Sequence, residues 1–101
     1  MKTLTEIFNE ITVKRGESFM IDLAENPSTG HRWKFQIVRG KAQKLDDKFK
    51  NQTRIDEIGQ CGKRRMTYQA IGKKDIVIQA QYKREWEKTP AGELTFKVKV
   101  R

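Results

Sequence analysis

Ser18-Phe19-Met20-Ile21-Asp22-Leu23 and Arg32-Trp33-Lys34-Phe35-Gln36-Ile37, separated by Asn26-Pro27-Ser28-Thr29-Gly30, decide the fold. In both runs a large apolar side chain falls on every second position: Phe19, Ile21 and Leu23 in the first, Trp33, Phe35 and Ile37 in the second. A period of two means a strand with one buried face. The loop between them is polar and conformationally restricted. Pro27 fixes its own φ near about −65° and disfavours helical geometry at Asn26. Asn26 can bond its own backbone two residues on, and Gly30 permits a positive φ where the chain turns back. Such a loop contributes little to a core. It is the kind of element a protein presents to a partner.

The same period extends outward in both directions. Upstream, Ile11 and Val13 alternate with Thr12 and Lys14, and Arg15-Gly16-Glu17 supplies a turn. Leu4, Ile7 and Phe8 precede them, with spacing that fits either a helical turn or a docked lead-in. Downstream, Arg39-Gly40 closes the Trp33 strand. Residues 41–58 read as a polar crossing with one short strand: Leu45 and Phe49 are spaced like a helical turn, Asn51-Gln52-Thr53 breaks the pattern, and Ile55 and Ile58 follow. Gly59-Gln60-Cys61-Gly62 is a second glycine-bearing turn. Met66, Tyr68 and Ala70 alternate up to a turn at Gly72–Asp75, and Ile76, Ile78, Ala80 and Tyr82 form the longest clean alternation in the chain. A charged loop, Arg84 to Gly92, contains Trp86 and Pro90. Leu94, Phe96, Val98 and Val100 complete the pattern. About seven short strands with turn signals between them predict an all-β, antiparallel β-sandwich. One domain over 1–101, with its core at about 11–100, accommodates all of them.

Composition narrows the chemistry. The chain has 101 residues, with 22 Lys+Arg against 13 Asp+Glu and a formal net charge of +9. That charge bears on partners: nucleic acid, a membrane surface or an acidic protein cleft. Cys61 is the only cysteine, so no disulfide forms within the chain, and a lone thiol fits a reducing compartment. No apolar run matches a signal-peptide core or the roughly 18–20 residues of a membrane span. The expectation is a cytoplasmic chain, or one whose leader has been removed, with no membrane partner. His31 is the only histidine and stands far from Cys61 in sequence, so nothing marks an activated nucleophile or a metal site. The chain is read as no enzyme, with no cofactor.

Three loops interrupt the strands: Asn26-Pro27-Ser28-Thr29-Gly30 with Trp33 beyond it, Gly59-Gln60-Cys61-Gly62, and Arg84-Glu85-Trp86 preceded by Tyr82. Together they resemble the chagasin-type inhibitors of papain-like cysteine peptidases. That family carries Asn-Pro-Thr-Thr-Gly followed by a Trp, then Gly-x-Gly-Gly, then Arg-Pro-Trp after a strand with a Tyr. Order and spacing agree from about Ile11 to Val100. The resemblance implies an immunoglobulin-like β-sandwich. Asn26, Pro27, Ser28, Thr29 and Gly30 would enter the peptidase cleft, flanked by Gly59, Gln60, Cys61 and Gly62 on one side and Arg84, Glu85 and Trp86 on the other. Cys61 departs from the family's Gly and Glu85 from its Pro. The first adds a Cβ where positive φ is favoured; the second removes a φ restraint and adds a negative charge beside the cleft.

Individual residues take roles on the same grounds. Ser28 and Thr29 offer hydroxyls to a thiolate–imidazolium pair. Trp33 belongs to the core, in phase with Phe35 and Ile37. Trp86, in a loop dense with charge, is an exposed interface aromatic. Arg84 pairs with a peptidase carboxylate or with Glu85 or Glu87, and His31 packs. The partner is then a papain-like cysteine peptidase, bound reversibly by a monomer. The competing reading is a basic sandwich binding nucleic acid or another anionic surface. It is disfavoured because the charges are spread over several strands and only Trp86 is placed for base stacking.

Overall fold

The structure is a computed structural model that describes residues 1–26, 29–51 and 62–101. Eight strands are found among them: β1 Lys2–Leu4, β2 Glu10–Val13, β3 Ser18–Glu25, β4 Arg32–Arg39, β5 Ala42–Asn51, β6 Gly62–Ala70, β7 Ile76–Lys83 and β8 Gly92–Val100. They form two four-stranded sheets, ordered β1-β3-β6-β5 and β2-β8-β7-β4. The inward side chains of each sheet pack against those of the other. Phe19, Ile21 and Leu23 of β3 face a core that includes Ile76, Ile78, Phe96 and Val98, all fully buried. The expected all-β sandwich is present, and the alternation in β3, β4, β6, β7 and β8 reads directly as inward and outward faces.

The N-terminal lead-in takes the docked form of its two readings, as a strand, and residues 41–51 differ from expectation. The lead-in forms no helical turn. β1 pairs parallel with β3, Leu4 opposite Ile21, and β2 pairs parallel with β8, Ile11 opposite Val98. Leu4 is buried, whereas Ile7 and Phe8 stand in solvent on the turn between β1 and β2. The sandwich is therefore antiparallel except at these two edge pairs.

Residues 42–51 are no polar crossing but a ten-residue edge strand, antiparallel to β6. Its register shifts between Lys44 and Asp46, leaving Leu45 as the extra residue of a bulge and 50% exposed. A bulge breaks strict alternation, which is why the period-two signal vanishes here. Lys44, Lys48 and Lys50 blunt the open edge against pairing with another chain. The short strand expected around Ile55 and Ile58 lies outside the described residues.

Candidate functional site

Strand register brings the described ends of the three loops to one end of the sandwich. β3 ends at Glu25, opposite Gly62, where β6 begins. β4 starts at Arg32, opposite Lys83, where β7 ends. Gly92, the first residue of β8, lies opposite Tyr82. The ends of Asn26–Gly30, the exit of Gly59–Gly62 and both ends of the Arg84 loop therefore converge.

The first and third loops touch directly. Arg84 Nε donates to the Thr29 carbonyl at 2.9 Å. A Cβ at Gly30 would meet Trp86 Cη2 at 3.6 Å and Arg84 Cγ at 3.9 Å, and Gly30 itself holds φ +79°. A side chain there would be strained and would push into the Trp86 ring. Trp86 is 75% exposed, with the Arg84 guanidinium 6.0 Å from its ring centroid. The sequence expectation of a solvent-facing aromatic holds.

Beneath these loops lies an aromatic and hydrogen-bonded platform. Tyr82 stacks on His31 at 5.0 Å and tilts against Trp33 at 4.8 Å. Its hydroxyl accepts from the Asn26 backbone N–H at 2.9 Å. Thr29 Oγ1 donates to the Asn26 carbonyl at 3.0 Å. The hydroxyl proton being used, the 2.8 Å contact from His31 Nδ1 to Thr29 Oγ1 makes Nδ1 the donor. Glu87 Oε1 lies 3.5 Å from Arg84 Nε and 3.8 Å from His31 Nε2. Of the carboxylates considered for Arg84, Glu87 is the one it meets within the chain. Trp33 is half-buried against the core, and its Nε1–H donates to the Ala24 carbonyl at 2.7 Å.

Beside Gly62 the interior of the sandwich is polar. Glu25 continues the inward phase of Phe19, Ile21 and Leu23, and is only 2% exposed. It accepts from Arg64 Nη2 at 2.8 Å, Arg64 Nε at 3.2 Å and the Trp33 backbone N–H at 2.7 Å. Arg64 Nη1 also reaches Asp47 at 3.0 Å, and the guanidinium lies 5.4 Å from the Phe49 ring centroid. Burial works against the Arg64 charge. Its bonds to Glu25 and Asp47, and their negative charge, outweigh burial and hold its pKa above the ordinary arginine value. Gly62 is buried in the ladder, and a Cβ there would stand 2.1 Å from Phe49 Cζ. Its lack of a side chain is what lets the Phe49 ring cross β6. The sequence reading missed Glu25 and Arg64. The available signal was a carboxylate on an inward strand position, with an arginine on the inward phase of Met66, Tyr68 and Ala70.

Of the candidate site residues, Asn26, Thr29, Gly30, Arg84 and Trp86 form one contiguous group. Glu85 is exposed beside them, and Gly62 joins through its ladder with Glu25. Pro27, Ser28, Gly59, Gln60 and Cys61 lie outside the described residues. Among the described residues there is no cluster of three or more side chains suited to hold a metal.

An immunoglobulin-like sandwich with loop ends gathered at one end is an architecture that carries recognition on its loops in many proteins. Residues 12–100 match the family described as Chagasin family peptidase inhibitor I42, and the chain belongs to that family. Solved structures agree. The cysteine protease inhibitor EhICP2 from Entamoeba histolytica is 25% identical with a TM-score of 0.88, covering 99% of this chain and 95% of that one. Amebosin, solved in solution, is 28% identical with a TM-score of 0.64, over 99% and 97%. PbICP-C, solved in complex with falcipain-2, shares the fold at 17% identity and a TM-score of 0.62, over 99% and 88%. No curated protein matches the sequence.

Proposed function

We propose that this single-domain chain is a reversible, non-covalent inhibitor of papain-like cysteine peptidases. It inserts Asn26–Gly30 into the active-site cleft, with Gly59–Gly62 and Arg84–Trp86 on either side. The observation that carries the reading is the bond from Arg84 to the Thr29 carbonyl, which ties the central loop to its neighbour in a family of peptidase inhibitors. Support also comes from EhICP2, a cysteine protease inhibitor, and from the complex of PbICP-C with falcipain-2.

Physically, the arrangement favours tight binding without turnover. A loop held by Tyr82, His31 and Arg84 loses little entropy on docking, so more of its contact energy appears as affinity. Thr29 has both its hydroxyl and its carbonyl engaged within the chain, which resists the displacement that cleavage of the loop requires. An interface of standard size buries on the order of 1,600 Å² in total.

The test is a competition assay over a panel of papain-like peptidases. Inhibition at or below micromolar protein is expected. Deleting Pro27–Thr29 is expected to weaken it far more than Lys97→Ala, an exposed change on β8. Inhibition of no member of the panel, or equal effects of the two changes, overturns the reading.

A further inference from the structure

Next to Trp86 the outward face of the second sheet carries three cations. Arg32 and Lys34 lie on the exposed side of β4, and Lys83 lies directly opposite Arg32 across the ladder. With Gly30, Glu85 and Trp86 they line an open hollow of about 280 Å³. Directly opposed like charges destabilise an antiparallel pair. Yet among the described residues none of the three cations has an ion-pair partner. Glu93, the carboxylate nearest on β8, sits opposite Gln81 and accepts from Gln79 instead. Glu85 on the rim has no ion-pair partner among the described residues, and three cations against this one carboxylate leave the hollow with a net positive charge.

Unpaired cations also stand elsewhere among the described residues, Lys41, Lys73 and Lys74 at the opposite end included, so what sets these three apart is their place beside Gly30 and Trp86. Other charges are matched. Arg64 meets Glu25 and Asp47, Arg65 meets Asp22, Lys99 meets Glu10, and Arg84 meets Glu87.

We propose that Arg32, Lys34 and Lys83 form a cradle for acidic side chains on the rim of the target peptidase's cleft, next to the groove that Trp86 enters. The inference rests on the inhibitor reading and specifies its target: a peptidase with carboxylates flanking the cleft on the side met by the third loop. The position favours a protein rim over nucleic acid. Three cations around one hollow neutralise a local acidic cluster, and only one aromatic stands beside them.

The experiment is stopped-flow association with an inhibited papain-like peptidase of net negative charge, at low and at physiological ionic strength. The triple variant Arg32→Gln, Lys34→Gln, Lys83→Gln is compared with Lys41→Gln, Lys73→Gln, Lys74→Gln. The second set surrounds a hollow at the opposite end and removes the same charge. At low salt the first triple is expected to slow association roughly tenfold and to flatten its salt dependence. The distal triple is expected to change it less than about twofold. The urea midpoint of the first triple is expected to hold or rise, because repulsion has been removed; a fall would mean that the cations support the fold, which overturns the cradle. Equal slowing by both triples also overturns it while leaving the inhibitor reading intact. So does a loss, confined to the first triple, of affinity for a random-sequence single-stranded oligonucleotide with peptidase association unmoved. A wild-type chain that slows no such peptidase overturns both.

Discussion

Arg64→Met is expected to be among the most damaging single changes available on β6, although it keeps much of the side chain's apolar stem. The Glu25 side chain is 1% exposed and the Arg64 side chain 19%. The variant removes the guanidinium bonds to Glu25, at 2.8, 3.2 and 3.4 Å, and leaves it, among the described residues, the Trp33 backbone N–H at 2.7 Å. A buried charge stripped of its partner costs about 3–5 kcal/mol. That is a large part of the roughly 5–15 kcal/mol by which a domain is stable. Glu25→Gln is milder. The amide oxygen still accepts from Trp33, while Arg64 retains Asp47 and some water, so the loss is about 1–3 kcal/mol. The double variant Glu25→Gln, Arg64→Met leaves no buried charge behind. It is expected to be more stable than the sum of the single losses by at least about 2 kcal/mol.

Equilibrium urea unfolding measures all four proteins, provided the slope m stays constant across the set. A loss under 1 kcal/mol (about the worth of a solvent-exposed pair) for Arg64→Met would refute the reasoning, since Glu25 would then not be an enclosed carboxylate. So would additive losses. Binding adds a second readout. Glu25 bonds at once to the strand leaving the second loop and to the strand leaving the first. Its loss should therefore speed dissociation from the peptidase even at temperatures where the variant stays folded.

Trp86→Ala separates function from stability. With 75% of the residue exposed, the midpoint of unfolding should barely move, while peptidase affinity falls by about 2 kcal/mol or more, roughly thirtyfold. An unchanged inhibition constant would remove Trp86 from the interface. Gly62→Ala does the reverse: a Cβ 2.1 Å from the Phe49 ring should cost about 1–3 kcal/mol, and Phe49→Leu in the same chain should recover part of it. Failure of that rescue in urea unfolding would show that the ring is not the obstacle. Burial first, and the Asp47 charge second, push the Tyr68 phenol from 10.0 up to about 12. Because the folded value lies above the unfolded one, the associated stability is complete below about pH 10 and is lost as pH rises toward 12, by on the order of 2 kcal/mol. Stability measured from pH 8 to 12 should show that slope, and Tyr68→Phe should remove the part due to this group.

What could be read from the chain alone followed the regularity of its backbone. In β3, β7, β8 and β4 up to Ile37 the ladder register is unbroken, so their alternation survives as inward and outward faces, and the turns beside β3 and β4 carry glycines at Gly16 and Gly40 with positive φ. β5 escaped because the bulge at Leu45 shifts its phase and because an edge strand needs few apolar residues. β1 escaped because a three-residue strand is too short to show a period, and its parallel partner β3 lies beyond the intervening β2 in sequence. At the candidate site, Asn26–Gly30 and Arg84–Trp86 stand out in the sequence because loop chemistry is written in local residue types. The Glu25–Arg64 pair was not. Its members are 39 positions apart, and only the β3–β6 register brings them together.

That register explains why an inhibitor of this size tolerates a charged pair inside a core otherwise made of aliphatic and aromatic side chains. Two apolar residues at positions 25 and 64 would pack the sheets together without fixing the direction in which the chain leaves them. A carboxylate with donors from two strands does fix it. Glu25 Oε1 meets the Trp33 N–H only if the chain has turned back within the first loop. Oε2 meets Arg64 only if β6 begins at Gly62, with the Phe49 ring lying across that glycine. Tyr82 applies the same logic from the other sheet through the Asn26 N–H, as does Arg84 through the Thr29 carbonyl. Each of these bonds has an acceptor or donor in the central loop or at its base, and each comes from a different element. The loop is thus held from β6, β7 and the third loop before any partner arrives, and the ordering cost of binding falls within folding instead.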